Sequence, residues 1–236
     1  MSDVLVVIPA WNEAANVGAV IAELTAERPG DTVLVVDDGS TDATAEAARM
    51  AAAALLKLPL HLGYGAAVQA GIKLGLRRGY RVVVTFDGDG QHDAADVSAL
   101  VQAVRDGADL VLGSRFLGEP SWRGSLLRRS GSATLAAITW ALTGLRLTDP
   151  TSGLKALSPR AQALFAASRF PDRFPDADAL VLARRSRLVV AERPARMRRS
   201  RNRHSMHDGH RAVAYAFNMS FSLLVAALGQ EGDLRG

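Results

Sequence analysis

Val82-Val83-Val84-Thr85-Phe86-Asp87-Gly88-Asp89-Gly90-Gln91-His92 passes without a break from an apolar, β-branched run into a cluster of carboxylates, glycines and an amide. The first part reads as a buried strand, because a strand covered on both faces shows no polar alternation. In an extended backbone, side chains two residues apart point the same way. Asp87 and Asp89 are therefore expected to face one hard cation together, with Gly88 leaving room for a ligand. Oxygen donors of this kind suit Mg²⁺ or Mn²⁺, ions that keep waters and also bind a substrate's phosphates, and Gln91 would add a further oxygen. Such an ion would neutralise charge building on a departing diphosphate. A solvated Asp-Gly turn would use the same residues.

Working outward, the same strand pattern recurs at Val4 to Ile8, Val33 to Val36 and Leu110 to Leu112, with a weaker run at Leu55 to His61 interrupted by Lys57 and Pro59. Ala-rich helical stretches separate them, at Ala14 to Ala26, Asp42 to Ala54, Ala66 to Arg78 and Ala94 to Arg105. Strands alternating with helices of this length imply a doubly wound α/β domain with a mostly parallel sheet and helices on both faces. Beyond Phe116 the pattern loosens. A helix is expected over about Ser125 to Leu142, a turn at Thr148 to Gly153, helices near Pro159 to Ala167 and Asp176 to Arg187, and a strand at Leu188 to Ala191. No linker divides the chain, so residues 1–208 read as a single domain and 209–236 as an apolar helix with a tail.

In open parallel sheets ligands bind at the carboxyl ends of the strands. Besides Asp87 to His92, those positions hold Pro9-Ala10-Trp11-Asn12-Glu13, Asp37-Asp38-Gly39-Ser40-Thr41-Asp42 and Gly113-Ser114-Arg115-Phe116. Asp37 and Asp38 could accept from a nucleobase N–H and ribose hydroxyls, while Ser40 or Asp42 would cap the next helix. Glu13 equally suits the positive end of a helix. Gly63-Tyr64-Gly65-Ala66-Ala67 is like the start of a dinucleotide fingerprint without its third Gly, and Asp149-Pro150-Thr151-Ser152-Gly153 reads as a turn.

The 236 residues contain no Cys, which excludes disulfides, thiolate metal sites and thiol nucleophiles. Net charge is only +4, but Arg184 to Arg211 holds ten arginines against Glu192 and Asp208, leaving 18 basic and 22 acidic residues elsewhere. That segment contains no aromatic residue, which argues against stacking on nucleic acid. It suits a phosphate-bearing ligand or a membrane surface. Ala212 to Leu228 is uncharged yet shorter than the roughly 20 residues of a spanning helix. It suits a helix lying on a membrane or contacting a membrane-protein partner, ordinary packing or a homodimer contact, or, least well, a span. With no signal-peptide pattern at Met1-Ser2-Asp3, the chain reads as cytoplasmic and peripheral at the cytoplasmic membrane face.

Taken in order, Pro9-Ala10-x-Asn12-Glu13, Asp37-Asp38-Gly39-Ser40-x-Asp42, Gly63-x-Gly65-x-Ala67, Asp87-x-Asp89-Gly90-Gln91-His92, Gly113-Ser114-Arg115-Phe116 and Asp149-Pro150-Thr151-Ser152-Gly153 resemble glycosyltransferase family 2, and more narrowly the dolichyl- or polyprenyl-phosphate hexose synthases. The resemblance implies the GT-A fold, a nucleoside-diphosphate sugar donor, a divalent cation (Mg²⁺ or Mn²⁺), inversion at the anomeric carbon and a polyprenyl-phosphate acceptor. It implies that Pro9, Ala10, Trp11, Glu13, Asp37, Asp38, Gly63, Asp87, Gly88 and Asp89 bind the nucleotide sugar, and that Asp87, Asp89 and Gln91 hold the metal. Arg115, Arg123, Arg128, Arg129, Arg196 and Arg198 would face the diphosphate or the acceptor phosphate. An ionised acceptor needs positioning more than a base, whereas a hydroxyl acceptor would use Asp176 or Asp178. Asp89 and Arg115 complete the expected catalytic set. Two departures from the family pattern are His61, where Asn is common, and Gly153-Leu154-Lys155 in place of Gly-Phe-Arg.

Overall fold

β1 (Val4–Ala10), β2 (Thr32–Asp37), β3 (Ala54–Lys57), β4 (Val82–Thr85), β5 (Leu110–Ser114), β6 (Lys155–Leu157) and β7 (Val190–Pro194) form one sheet in the order β3-β2-β1-β4-β6-β5-β7 in a computed structural model of the protein. It describes residues 2–117, 126–167 and 177–198, with side chains described for 2–117, 133–167 and 179–198. All pairings are parallel except those of β6, which runs antiparallel to both β4 and β5.

Every residue of β1 and β4 is buried, which explains their unbroken apolar sequences. One face is covered by α1 (Val17–Glu27), α2 (Thr44–Met50) and α4 (Val97–Arg105), the other by α3 (Tyr64–Arg77), α6 (Pro159–Ala166) and α7 (Ala177–Arg185). α5 (Leu126–Thr143) packs on α7. α6 starts at Ser158, whose Oγ accepts from the Ala161 amide, with Pro159 following in the first turn where its missing N–H costs nothing.

The doubly wound expectation holds. Three elements differ from the sequence reading. α2 ends at Met50 rather than Ala54, which opens β3 instead. β3 ends at Lys57, short of the expected His61, because Leu58 to Gly63 turns away toward Asp38. The turn at Thr148 to Gly153 leads directly into β6, a strand of three residues with no β-branched member and therefore no periodic signal. Of the expected site residues, Arg123 and Asp176 lie outside the described residues, as does the segment 199–236. Arg128, Arg129 and Asp178 sit on α5 and α7, where their side chains are not described.

Candidate active site

β4 ends at Thr85, and Gly88 and Asp89 form a turn beyond it, so strand alternation is not what relates the two carboxylates. The turn is tight because Gly88 lies against β1: a Cβ there would sit 3.3 Å from the Pro9 carbonyl and from the Ile8 side chain. Gly88 thus lets the turn pack closely on β1.

The Asp87 carboxylate is held on both oxygens. Tyr64 Oη donates to Oδ1 (3.0 Å), and His92 Nε2 lies 3.2 Å from Oδ2. His92 is itself buried, edge-on to Phe86, and its backbone bridges to Met197. Burial alone would raise the Asp87 carboxyl, but the hydrogen bond and charge of His92, the Tyr64 hydroxyl and the Lys155 ammonium outweigh it and bring Asp87 below the usual carboxylate range. Asp89 goes the other way. Burial first, then the neighbouring Asp87 carboxylate and more weakly Glu13, push it up to about 6, against the Gln91 amide that donates to its Oδ1 and the charge of His92. Glu13 therefore belongs electrostatically with the acidic pair. Its own Oε2 accepts from Asn16, and its amide donates to Thr44 Oγ1.

Asp38 is spent on the chain. Its oxygens accept from the amides of Leu62 and Gly63 (2.8 Å each), and His61 Nδ1 lies 2.8 Å from Oδ2. Asp37, fully buried, accepts from the Ser40 amide on Oδ1, leaves Oδ2 without a hydrogen bond, and has Lys57 Nζ 4.0 Å from that oxygen. The cap expected of Asp42 is present: it accepts from the Thr44 amide and also from Ala14, tying the first and second strand ends together. Ser40 instead accepts from the Asn12 amide. The half-exposed Trp11 stacks on His61 with ring centroids 4.2 Å apart and planes at 18°. This pair presents a flat aromatic surface at the rim of the cleft, the kind of surface on which a nucleobase stacks.

Arg115 is paired with the turn that precedes β6. Its Nε and Nη2 grip Asp149 (2.6 and 2.7 Å), and Nη2 also reaches Thr151. Glu192 on β7 in turn accepts the amides of Thr148 and Asp149. Asp149 is fully buried, so removing its charge leaves the guanidinium with a neutral partner. Asp149→Asn should lower unfolding free energy by about 3 kcal/mol in urea titration; an unchanged midpoint would show the pair to be dispensable. Arg196 and Arg198 are likewise engaged, with Asp96, Asp93 and Glu23, and the Arg198 amide donates to the Gln91 carbonyl. These two arginines fasten the final described segment alongside the Asp87 to His92 loop. Both guanidiniums contact carboxylates in this structure.

The donor set fits a hard divalent ion. Among the described residues no group of three or more His, Cys, Asp or Glu forms a closed metal cage, and two carboxylates that leave other positions to phosphate oxygens and water are what Mg²⁺ or Mn²⁺ commonly uses. Tyr64, His92, Lys155, Gly153 and His61 are neighbours of the site that sequence reasoning did not assign to it. Each falls within or beside a motif quoted above, which marked the stretch but not the side chain that would meet the acidic pair.

Comparison with known proteins gives the following. The family model described as glycosyl transferase family 2 matches residues 5–158. An uncharacterised protein of Methanocaldococcus jannaschii is 31% identical, covering 94% of this chain and 91% of the relative. The polyprenol monophosphomannose synthase of Mycolicibacterium smegmatis is 38% identical over 64% of this chain and 60% of its own. The UDP-N-acetylglucosamine–dolichyl-phosphate N-acetylglucosaminyltransferase of Methanococcus voltae is 28% identical over 99% of this chain and all of its own. Among solved structures, the glucosyl-3-phosphoglycerate synthase of Mycobacterium tuberculosis, in complex with Mn²⁺, UDP and glucosyl-3-phosphoglycerate, superposes with a TM-score of 0.67 at 23% identity, over 96% of this chain and 78% of its own.

Proposed function

The chain belongs to glycosyl transferase family 2 and is a glycosyltransferase that uses a nucleotide sugar, and we propose that it transfers a hexose, with inversion, to a polyprenyl phosphate. The observation that carries this reading is the Asp87/Asp89 pair. One carboxylate is held ionised by Tyr64 and His92, and the other is pushed up to about 6 beside it, an excess of negative charge that a cation bridging to a diphosphate would relieve. Asp87 and Asp89, with Gln91, would hold that cation. When bound, it would supply charge neutralisation for the departing nucleoside diphosphate.

The protein's own groups have separate tasks. Tyr64, His92 and Gly153 fix Asp87 in place. The Trp11/His61 stack offers its face to the base, and Asp38 fixes the 61–63 loop beneath it. Arg115, locked to Asp149, holds the Asp149 to Gly153 turn against β5. A phosphate acceptor is already ionised and needs alignment opposite the leaving group rather than a general base. Support for the lipid acceptor comes from the names of two relatives, one acting on dolichyl phosphate and the other a polyprenol monophosphomannose synthase.

The test is a panel assay of full-length protein with Mg²⁺ or Mn²⁺, several UDP- and GDP-sugars, and short-chain polyprenyl phosphate, following nucleoside diphosphate release. Release that requires the lipid phosphate is the expected result and names the donor. Release stimulated only by hydroxyl acceptors would overturn the lipid reading and direct attention to Asp176 and Asp178.

A further inference from the structure

Beyond the end of β7 the chain keeps contact with the site. The Ala195 amide donates to the Ser114 carbonyl (2.8 Å), and residues 196–198 then cross to the loop that follows β4. There Met197 forms an antiparallel bridge with His92, and the Arg198 amide donates to the Gln91 carbonyl (2.8 Å). Those two loop residues are the ones that reach the acidic pair. The Gln91 amide donates to Asp89 Oδ1 (2.9 Å), and His92 Nε2 lies 3.2 Å from Asp87 Oδ2. The other ring nitrogen of His92, Nδ1, is buried without a hydrogen bond. The ring therefore takes its position from its own backbone and from edge-on packing against Phe86.

Charge holds residues 196–198 where they are. Arg198 Nη1 donates to Glu23 Oε2 on α1 (2.6 Å), and its Nη2 lies 3.3 Å from Asp93 Oδ1. Arg196 donates to Asp96 through Nε (3.1 Å) and through its amide (2.6 Å), and its Nη2 lies 3.4 Å from Asp93 Oδ2. Two of these carboxylates also anchor the far end of the loop: Glu23 accepts from the Ala94 amide (3.0 Å) and Asp93 from the Ala95 amide (3.1 Å). A lone surface ion pair contributes little, but here two guanidiniums share three carboxylates that are themselves tied to backbone.

We propose that Arg196 and Arg198 are positioning residues for the cation site: by strapping residues 196–198 across Gln91 and His92, they hold Asp87 and Asp89 in the arrangement that takes a divalent ion. Outer partners of metal ligands commonly act this way, fixing a ligand's orientation without touching the ion. The proposal rests on the reading of Asp87 and Asp89 as the ion's carboxylates and is independent of the acceptor. A guanidinium that bound a substrate phosphate would reveal itself in substrate affinity. One that shapes the loop reveals itself in metal affinity before any nucleotide is present.

The test is Mn²⁺ binding to the full-length, nucleotide-free protein by calorimetry, with KM and kcat for the nucleotide sugar measured beside it and thermal melts showing that each variant is folded. Arg196→Gln and Arg198→Gln remove the straps. Glu23→Gln weakens the second from the opposite side while leaving an oxygen for the Ala94 amide, and Arg198→Lys keeps the charge. Arg105→Gln, which breaks a similarly exposed ion pair with Asp3 at the opposite end of β1, is the control. The expected result is Mn²⁺ affinity roughly tenfold weaker in the three Gln variants at the strap, largely restored in Arg198→Lys and unchanged in Arg105→Gln. In the metal-free protein, hydrogen exchange of the Gln91 amide should quicken in the same three variants, because its bond to Asp89 loosens. Parent-like Mn²⁺ affinity with a raised KM would overturn the proposal in favour of direct phosphate contact, and parent-like values throughout would overturn it outright. A parent that binds no Mn²⁺ would overturn it together with the reading of the acidic pair, a result distinct from parent and variants binding equally.

Discussion

Asp89→Asn is expected to reduce turnover about a thousandfold, the loss of roughly 4 kcal/mol of charge stabilisation in the transition state, while making the metal-free protein more stable. The second half follows from the raised carboxyl. Unfolded, Asp89 titrates near 3.9; folded, it titrates at about 6. Between these values the folded state binds the extra proton, so this group's penalty is absent below about pH 4, grows as pH rises to about 6, and is constant above. Two units correspond to about 3 kcal/mol at most. Because Asp89 is partly exposed, solvent screening reduces this to about 1–2 kcal/mol. Thermal melts in chelator should show the Asn variant several degrees above the parent at pH 8 and equal to it at pH 4. Mn²⁺ should raise the parent toward the variant and leave the variant unmoved. Equal melts at pH 8 would mean that neither burial nor the Asp87 charge disfavours the Asp89 carboxylate.

Gly153→Ala should lower kcat/KM about a hundredfold with a modest loss of stability, about 1–3 kcal/mol. β6 pairs with β4 with Lys155 opposite Thr85, and Thr85 Oγ1 donates to the Gly153 carbonyl (2.7 Å). That register sets Gly153 directly against Asp87, so that a methyl group would fall on the carboxylate. Asp87 cannot yield without leaving Tyr64 and His92, and the acidic pair would lose its geometry. The measurement is Mn²⁺ affinity by calorimetry together with steady-state kinetics. Parent-like values for both would show that the site tolerates a displaced Asp87.

How far the site was legible differs residue by residue. Asp87 and Asp89 stood out because carboxylates directly after a buried strand have few structural reasons to be there, and the fold carries both to the carboxyl end of β4. Asp38 stood out on the same grounds, and its oxygens also accept the Leu62 and Gly63 amides that close the 61–63 loop, contacts 24 and 25 residues away that no local pattern announces. Arg115, Arg196 and Arg198 read as phosphate ligands since a guanidinium shows its charge in sequence but not its partner. Each met a carboxylate distant along the chain: Asp149, Asp96 and Glu23.

The sequence by itself determined the doubly wound α/β architecture, the carboxyl-end location of the site and the family, because apolar periodicity and short ordered motifs are local properties. Tertiary structure alone decided which polar groups meet. The three residues of β6 carry no local signal, yet by inserting antiparallel between β4 and β5 they bring Gly153 and Lys155 to Asp87. Pairing energies depend on distance in space, and strand insertion sets that distance through contacts about seventy residues apart in the chain.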